Sequence, residues 1–398
     1  MTSATSNGVS SSLHAHRFLL RAGLSLANVF AWIFVFEYFY LLSGNVPRSL
    51  ATMALLFGFA QFITIVFTPV AAAHLQRGAR RSLIWGVVCA GSAFVLLGGT
   101  LSGYFSAPLL WGIVGFATLA GMYRALYFVP YRVTQTALRP HEHMRAYLEV
   151  IIALMPLFAG LTISSIAFAQ GRLLFGASAL IILSALPVFW VPDTRERFSW
   201  SYVYTFKQLW RRKNYGLVLQ SLFEGLQGAA LFLVWPLAVF LILEWSYFML
   251  GLVLSVTLLL ILLLRRLYAW LLQRFGLENS AAVYTVLAIS GWIGRLAAGT
   301  PVGVIIADSY AYTTTPERGT RFDPFSFEQV SDRGAFVDEY TALKEIALAL
   351  GRIMLCAIVF VLVFAFALPV VFAIVLGIAA AASGLAILVA RRGAAPAY

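Results

Sequence analysis

The stretch AAAHLQRGARR, residues 71–81, decides how the chain is read. An apolar run over 48–73 leads into it and a second, over 82–104, leads out. Each run has the ~20 residues that a helix needs to cross a bilayer. Between them stand Arg77, Arg80 and Arg81. The stretch therefore reads as a basic turn joining two membrane helices, and the rest of the chain can be tested for the same pattern.

Composition agrees. Of the 398 residues, 61% are hydrophobic and 11% charged; soluble domains carry about 25% charged residues. The mean hydropathy is +0.87. The opening MTSATSNGVSSS is polar and is not followed by a short apolar stretch with a small-residue cleavage site. No cleaved signal peptide is expected, and the first span directs insertion itself. Cys89 and Cys356 lie singly in apolar runs and support neither a disulfide framework nor a metal site. His14 with His16, and the HEH of 141–143, have no Cys nearby and read as solvated loop residues rather than zinc ligands. No nucleotide-binding loop and no Ser/His/Asp set is present, so neither an ATP-driven pump nor a membrane enzyme is expected, and no cofactor.

Twelve spans follow from the apolar runs, at roughly 18–42, 48–73, 82–104, 107–129, 145–169, 172–191, 215–241, 245–270, 279–294, 297–312, 340–366 and 369–390. The ninth and tenth are the short ones. Residues 279–312 are broken at 294–295 and at 299–301. Two short helices fit them, and so does one long helix with a re-entrant piece.

Basic residues orient the chain, because cytoplasmic loops retain Lys and Arg. With twelve spans and both termini inside, the outward loops hold Arg48, Arg172 and Arg295, and the other 25 of the 28 basic residues lie in or beside inward segments. That asymmetry accounts for the net charge of +12 without nucleic acid. Two inward segments are long. Residues 192–214 are basic and separate six spans from six. Residues 313–339 hold six of the 16 acidic residues, Asp338 and Glu339 among them, and read as a solvated connector or a docking loop.

The two sixes repeat one another. Span 1 carries Arg21, Ser25 and Asn28; span 7 carries Gln220, Glu224 and Gln227. Both sets are spaced i, i+4, i+7, so each forms one polar stripe on an apolar helix. After span 2 comes HLQRGARRSL with Gly78, and after span 8 comes LLQRFGLENS with Gly276. Span 5 enters as YLEVIIAL with Glu149, and span 11 as LKEIALAL with Glu345. The three offsets are 199, 198 and 196. The expected fold is thus an all-α polytopic membrane protein with twelve transmembrane helices in two pseudo-symmetric six-helix halves, 1–191 and 215–398, joined by the linker. Parallel repeats of this kind are one transporter architecture.

These features resemble the major facilitator superfamily over nearly the whole chain. The family's motif after spans 2 and 8 is G-x-L-A-D-R-x-G-R-R. The first copy here keeps Gly78, Arg80 and Arg81, with Ala71 at the first Gly and Leu75 at the Asp. The second, AWLLQRFG, keeps Leu271, Arg274 and Gly276, with Gln273 at the Asp. Both lack the Asp that helps lock the family's closed inner gate. The resemblance implies that spans 1 and 7 line a central cavity.

An ionisable group at membrane depth costs ~2.5–3.5 kcal/mol or more and needs a reason. Glu224 lies ~14 Å into span 7, near the midplane. It is the first choice for proton coupling or substrate contact, with Gln220, Gln227 and Asn28 at similar depth. Asp308 in span 10 is second. Arg21, one turn into span 1, fits an anion contact or an interface anchor. Glu37, ~29 Å along span 1, reads as a snorkelling carboxylate in an aromatic belt. Arg124 reads as snorkelling from the inner end of span 4. Glu149 and Glu345 read as a symmetric inner-gate pair, with Lys344 and Glu345 near the headgroups. Arg352 is deeper and needs a partner, Asp308 or Glu345.

The expected function is a secondary active transporter: a monomer in the cytoplasmic membrane that moves a small molecule by alternating access, coupled to protons. A transporter-like protein without transport, serving as assembly factor or sensor, and a lipid or amphiphile flippase are the alternatives.

Overall fold

The computed structural model describes residues 2–104, 109–138, 146–166, 169–277, 280–314 and 337–394. All regular structure among them is helical. The elements are α1 Thr2–Ser43, α2 Val46–His74, α3 Ala79–Leu101, α4 Leu109–Leu138, α5 Ala146–Ser165, α6 Ala169–Leu183, α7 Ala185–Val188, α8 Tyr202–Leu209, α9 Tyr215–Ala229, α10 Trp235–Ile242, α11 Tyr247–Arg274, α12 Ala281–Leu296, α13 Pro301–Thr314, α14 Val337–Ala365 and α15 Leu368–Ala394. Ten helices among the described residues are long and apolar enough to cross a membrane. Helix is what such sequences must form in lipid, because each backbone group finds its partner within the segment. Large apolar side chains such as Trp85, Trp111, Phe158 and Phe364 point outward.

Residues 279–312 hold two short helices, α12 and α13, parted at 297–300. Span 4 is longer than expected. Its forecast end at 129 sits just before Pro130, yet α4 continues to Leu138. Membrane helices tolerate an internal proline because neighbouring groups and local adjustments re-satisfy the backbone; one turn on, the Thr134 hydroxyl donates to Pro130 O at 2.9 Å. Pro236 is accommodated differently. A π-helical turn over Ala230–Val234 widens the helix between α9 and α10, so one rod continues from Tyr215 to Ile242.

Helix neighbours define the architecture. α1 packs on α2, α5 and α6; α3 on α4 and α6; α2 on α4. Farther along, α9 packs on α14 and α15, α12 on α13 and α15, and α11 on α13. The two groups meet where α2 packs on α14 and α5 on α11. Adding about 198 to the residue numbers, the spacing of Gly78 and Gly276, turns α2 into α11 and α5 into α14. The same shift therefore turns the α2–α14 contact into the α11–α5 contact.

Glycine sets the closest crossings. A Cβ on Gly225 would lie 2.2 Å from Leu348 O, and one on Gly351 would lie 2.1 Å from Leu222 O. Gly160 and Gly251 face each other in the same way between α5 and α11. Membrane helices gain packing from such approaches because lipid supplies no hydrophobic drive between them.

The linker is packed rather than loose. Phe198 is buried with Leu75, Val133 and Ala342. The Ser199 hydroxyl and amide donate to Glu339 Oε1 at 2.6 and 3.0 Å. Glu339, expected in a solvated loop, is buried in the first turn of α14. The remaining acidic residues of 313–339 and the HEH of 141–143 lie outside the residues whose side chains are described.

Candidate functional site

Two adjacent residues of α14 reach two different helices. Lys344 Nζ stands 3.6 Å from Glu224 Oε2 on α9. Glu345 Oε2 accepts from an Arg124 guanidinium nitrogen on α4 at 3.1 Å. Successive helix positions diverge by about 100°, so consecutive side chains bridge to opposite neighbours. Two turns on, Arg352 donates to Gln61 Oε1 on α2 at 3.1 Å. Arg124, Glu345 and Arg352 are all buried.

This corrects two readings. Arg124 does not snorkel: with α4 running to Leu138, it lies ~21 Å from either helix end, at mid-depth. Glu345 is not at the headgroups either, since its side chain is 5% exposed and sealed against Arg124. Charge-assisted bonds of this kind compensate part of the cost of removing both ions from water. Of the two partners expected for Arg352, Glu345 is among the charged groups facing it, together with Arg124. Asp308 is engaged elsewhere.

The polar stripe of α9 is partly internal. Gln220 Nε2 donates to Glu224 Oε1 at 2.6 Å, and Gln227 turns back to its own Phe223 carbonyl at 3.4 Å. The stripe of α1 divides. Ser25 donates to Ile152 O of α5 at 2.9 Å. Arg21 is half-buried. Asn28 lines a cavity of about 60 Å³ shared with Trp32, Gln61, Phe94, Tyr123 and Arg124. Gln61 thus belongs both to the cavity wall and to the bond with Arg352.

Glu149 pairs with Arg265 of α11. The two carboxylates related by the repeat therefore bridge in opposite senses: Glu149 reaches from α5 to α11, and Glu345 from α14 to α4. The basic turn after α2 is held locally. Gly78 has φ 110°, and a Cβ there would lie 2.1 Å from an Asp193 oxygen. Asp193 also accepts from the Arg80 amide at 3.1 Å, and Ala79 N donates to Thr194 O at 2.8 Å. Asp193 thus caps the start of α3, where a carboxylate meets orphan N–H groups. Arg80 donates to Phe189 O at 3.1 Å, and Arg81 is exposed. The second copy is open among the described residues: a Cβ on Gly276 would meet nothing within 4 Å, and Arg274 lies over the Trp270 ring at 5.0 Å.

Asp308 accepts from Arg295 Nε at 2.7 Å and from Trp235 Nε1 at 2.9 Å. Both charged side chains are 3% exposed. Arg295 is therefore no outward-loop residue. It lies in the last turn of α12, ringed by Trp235, Trp292 and Tyr312. Glu37 is likewise not a snorkelling carboxylate, because it accepts from Tyr247 OH of α11 at 2.5 Å and from Gln170 of α6 at 3.0 Å. His16, expected in a loop, is buried in α1 between Ser184 O at 2.7 Å and Tyr127 OH at 3.0 Å.

Sequence reasoning missed Gln61, Arg295, Trp235 and Asp193 as partners. Only Asp193 had a local signal, the Pro-Asp-Thr that ends span 6.

Comparison with solved structures places this arrangement. The chain aligns over 97% of its length with 99% of the transporter FucP in its outward conformation, at TM-score 0.58 and 15% identity. It aligns over 99% of its length with 98% of the xylose transporter XylE from E. coli, at TM-score 0.59 and 10% identity. The chain has the major facilitator fold. A bacterial homologue of the iron transporter ferroportin is matched over 98% of this chain and 99% of its own, at 15% identity and TM-score 0.59, inward-facing. Its outward-facing state is matched at 0.57, so major facilitator structures of both states are fitted about equally. No protein-family model matches the sequence, and no curated protein matches it. The chain is a multi-pass membrane protein, and the likeness lies in its fold.

Proposed function

We propose that this protein is a secondary active transporter that moves a small solute by alternating access, coupled to protons through Glu224. One observation carries the reading: the α2–α14 and α5–α11 contacts are related by the sequence repeat, and each side of that seam has its own polar closure. Toward the linker, Glu149–Arg265 joins the two groups of helices, and at mid-depth Glu345–Arg124 does so as well. Toward the far ends of α1 and α11, Glu37–Tyr247 does the same. Two six-helix halves, 1–191 and 215–398, rocking about that seam would break one closure while keeping the other. The fold neighbours are sugar, iron and peptide transporters, which supports the reading. At the first motif copy Asp193 stands at the corner where the motif aspartate is missing, while the second copy has no such carboxylate among the described residues.

Twelve spans, α12 and α13 included, put the basic linker and both termini in the cytoplasm under the charge rule. The functional unit is a monomer. Membrane-impermeant labelling of Gly299→Cys and Lys213→Cys from opposite faces fits this; labelling of both from one face contradicts it.

Glu224 is half-exposed on α9, with Lys344 of α14 as its counter-ion. Protonation of Glu224 breaks its pair with Lys344, and solute binding can exploit that change. The test is flux in proteoliposomes under an imposed pH gradient, using a solute found by thermal-shift screening, since ligands stabilise the folded state. Glu224→Gln should lose gradient-driven accumulation while keeping exchange. Unchanged pH dependence in that variant would sink the coupling assignment.

A further inference from the structure

The cavity beside α1 is sorted along its length. Its lining comes from α1, α2, α3 and α4. Trp32 stands one turn nearer the α1–α2 corner than Asn28, and Phe57 one turn nearer it than Gln61. Phe116 lies two turns from Arg124 in the same direction, toward the start of α4. These rings meet one another: the Trp32 centroid is 5.1 Å from that of Phe57 and 5.2 Å from that of Phe116. The amides and the guanidinium therefore gather toward the linker, and the rings toward the far side. Gln61 and Arg124 lie ~20–23 Å from either end of α2 and α4, at mid-depth. The volume of about 60 Å³ is under half the ~150 Å³ of an apolar cavity that takes benzene, and holds about four to six non-hydrogen atoms at ~10–15 Å³ for each water-sized group.

Among the lining residues Arg124 carries the charge, and Glu345 answers it at 3.1 Å. A ligand that brought a further charge to this depth would be buried beside a completed ion pair, which is costly. The hydrogen bonds on offer come from two neutral side chains. Gln61 is 6% exposed; its oxygen accepts from Arg352, and its NH₂ has no partner among the described residues. The Asn28 amide has none there either, and it supplies both a donor and an acceptor. A neutral group that accepts one hydrogen bond and donates another suits the pair.

We infer that the cavity binds a small neutral amphiphile, a short-chain carboxamide or alcohol. Its polar end bridges Gln61 and Asn28, and its apolar tail lies among Trp32, Phe57 and Phe116. This rests on the transporter reading for its consequence: Gln61 joins the ligand to the Arg352 bond that links α2 to α14.

The experiment is a saturation-transfer NMR titration on the purified full chain. The probes are propionamide and propan-1-ol, with propionate and propylammonium as charged counterparts of the same size. The neutral probes should bind saturably and the charged ones should not. Ala120→Leu adds bulk to the lining without touching a polar group, and it should abolish binding. Gln61→Met should weaken propionamide about three- to tenfold, the scale of one neutral hydrogen bond. Asn28→Leu should do the same, and it serves if either of the other variants does not fold. Equal binding of propionamide and propionate, no binding of either neutral probe, or full propionamide affinity in Ala120→Leu or Asn28→Leu would overturn the inference. Binding as described without propionamide counterflow in proteoliposomes would keep the site and remove the transporter reading. Transport of another solute by a protein that binds neither neutral probe would do the reverse.

Discussion

Arg124 and Glu345 stand 221 residues apart in sequence and 3.1 Å apart in space, both buried, one on α4 and one on α14. Neither helix would carry its charge at that depth alone. Removing either partner leaves the other ion uncompensated, a loss of about 3–5 kcal/mol, whereas removing both costs less. Arg124→Gln and Glu345→Gln should each lower thermal stability in detergent, and the double variant should recover much of the loss. Additive losses in that cycle would show that the two side chains do not interact.

The α9–α14 crossing depends on bare backbone. Gly351→Ala places a Cβ 2.1 Å from Leu222 O, which α9 can relieve only by moving away. Overpacking of this kind costs about 1–3 kcal/mol or more. Gly377→Ala in α15 meets nothing within 4 Å and should be neutral or slightly stabilising. Equal melting temperatures for the two variants would contradict the close crossing.

Glu37 holds three helices together at the end of the molecule away from the linker. Its bonds to Tyr247 and Gln170 join α1 to α11 and α6. Hydrogen bonds to a charged group contribute about 1.5–3 kcal/mol. Glu37→Ala should therefore shift the protein toward a form open on that side. An impermeant maleimide should then label Asn28→Cys about tenfold more readily. Unchanged labelling would mean that Glu37 holds no closure.

The sequence disclosed the helices, the repeat and the depth of the charges, because each depends on hydropathy or on spacing along one helix. It did not disclose partners. Asp308 and Arg295 looked like a coupling group and a loop cation; in the fold they bury each other under Trp235. The apolar run placed the end of span 4 near 129, but α4 continues past Pro130 to Leu138, so Arg124 stands mid-helix rather than near an end. Glu37 and His16 misled for a related reason. Position along a helix gives depth, but the neighbour that satisfies a polar group comes from another helix, and only packing reveals which.

Alternating access itself is tested most directly by distance measurements between spin labels in lipid nanodiscs. One pair, at Arg77 and Gln273, reports the linker side; a second, at Leu42 and Val302, reports the opposite side. All four positions are exposed. The account predicts two populations for each pair. Conditions that lengthen one pair should shorten the other, and Glu224→Gln should hold both in one population. A single, unchanging distance on both sides would contradict it.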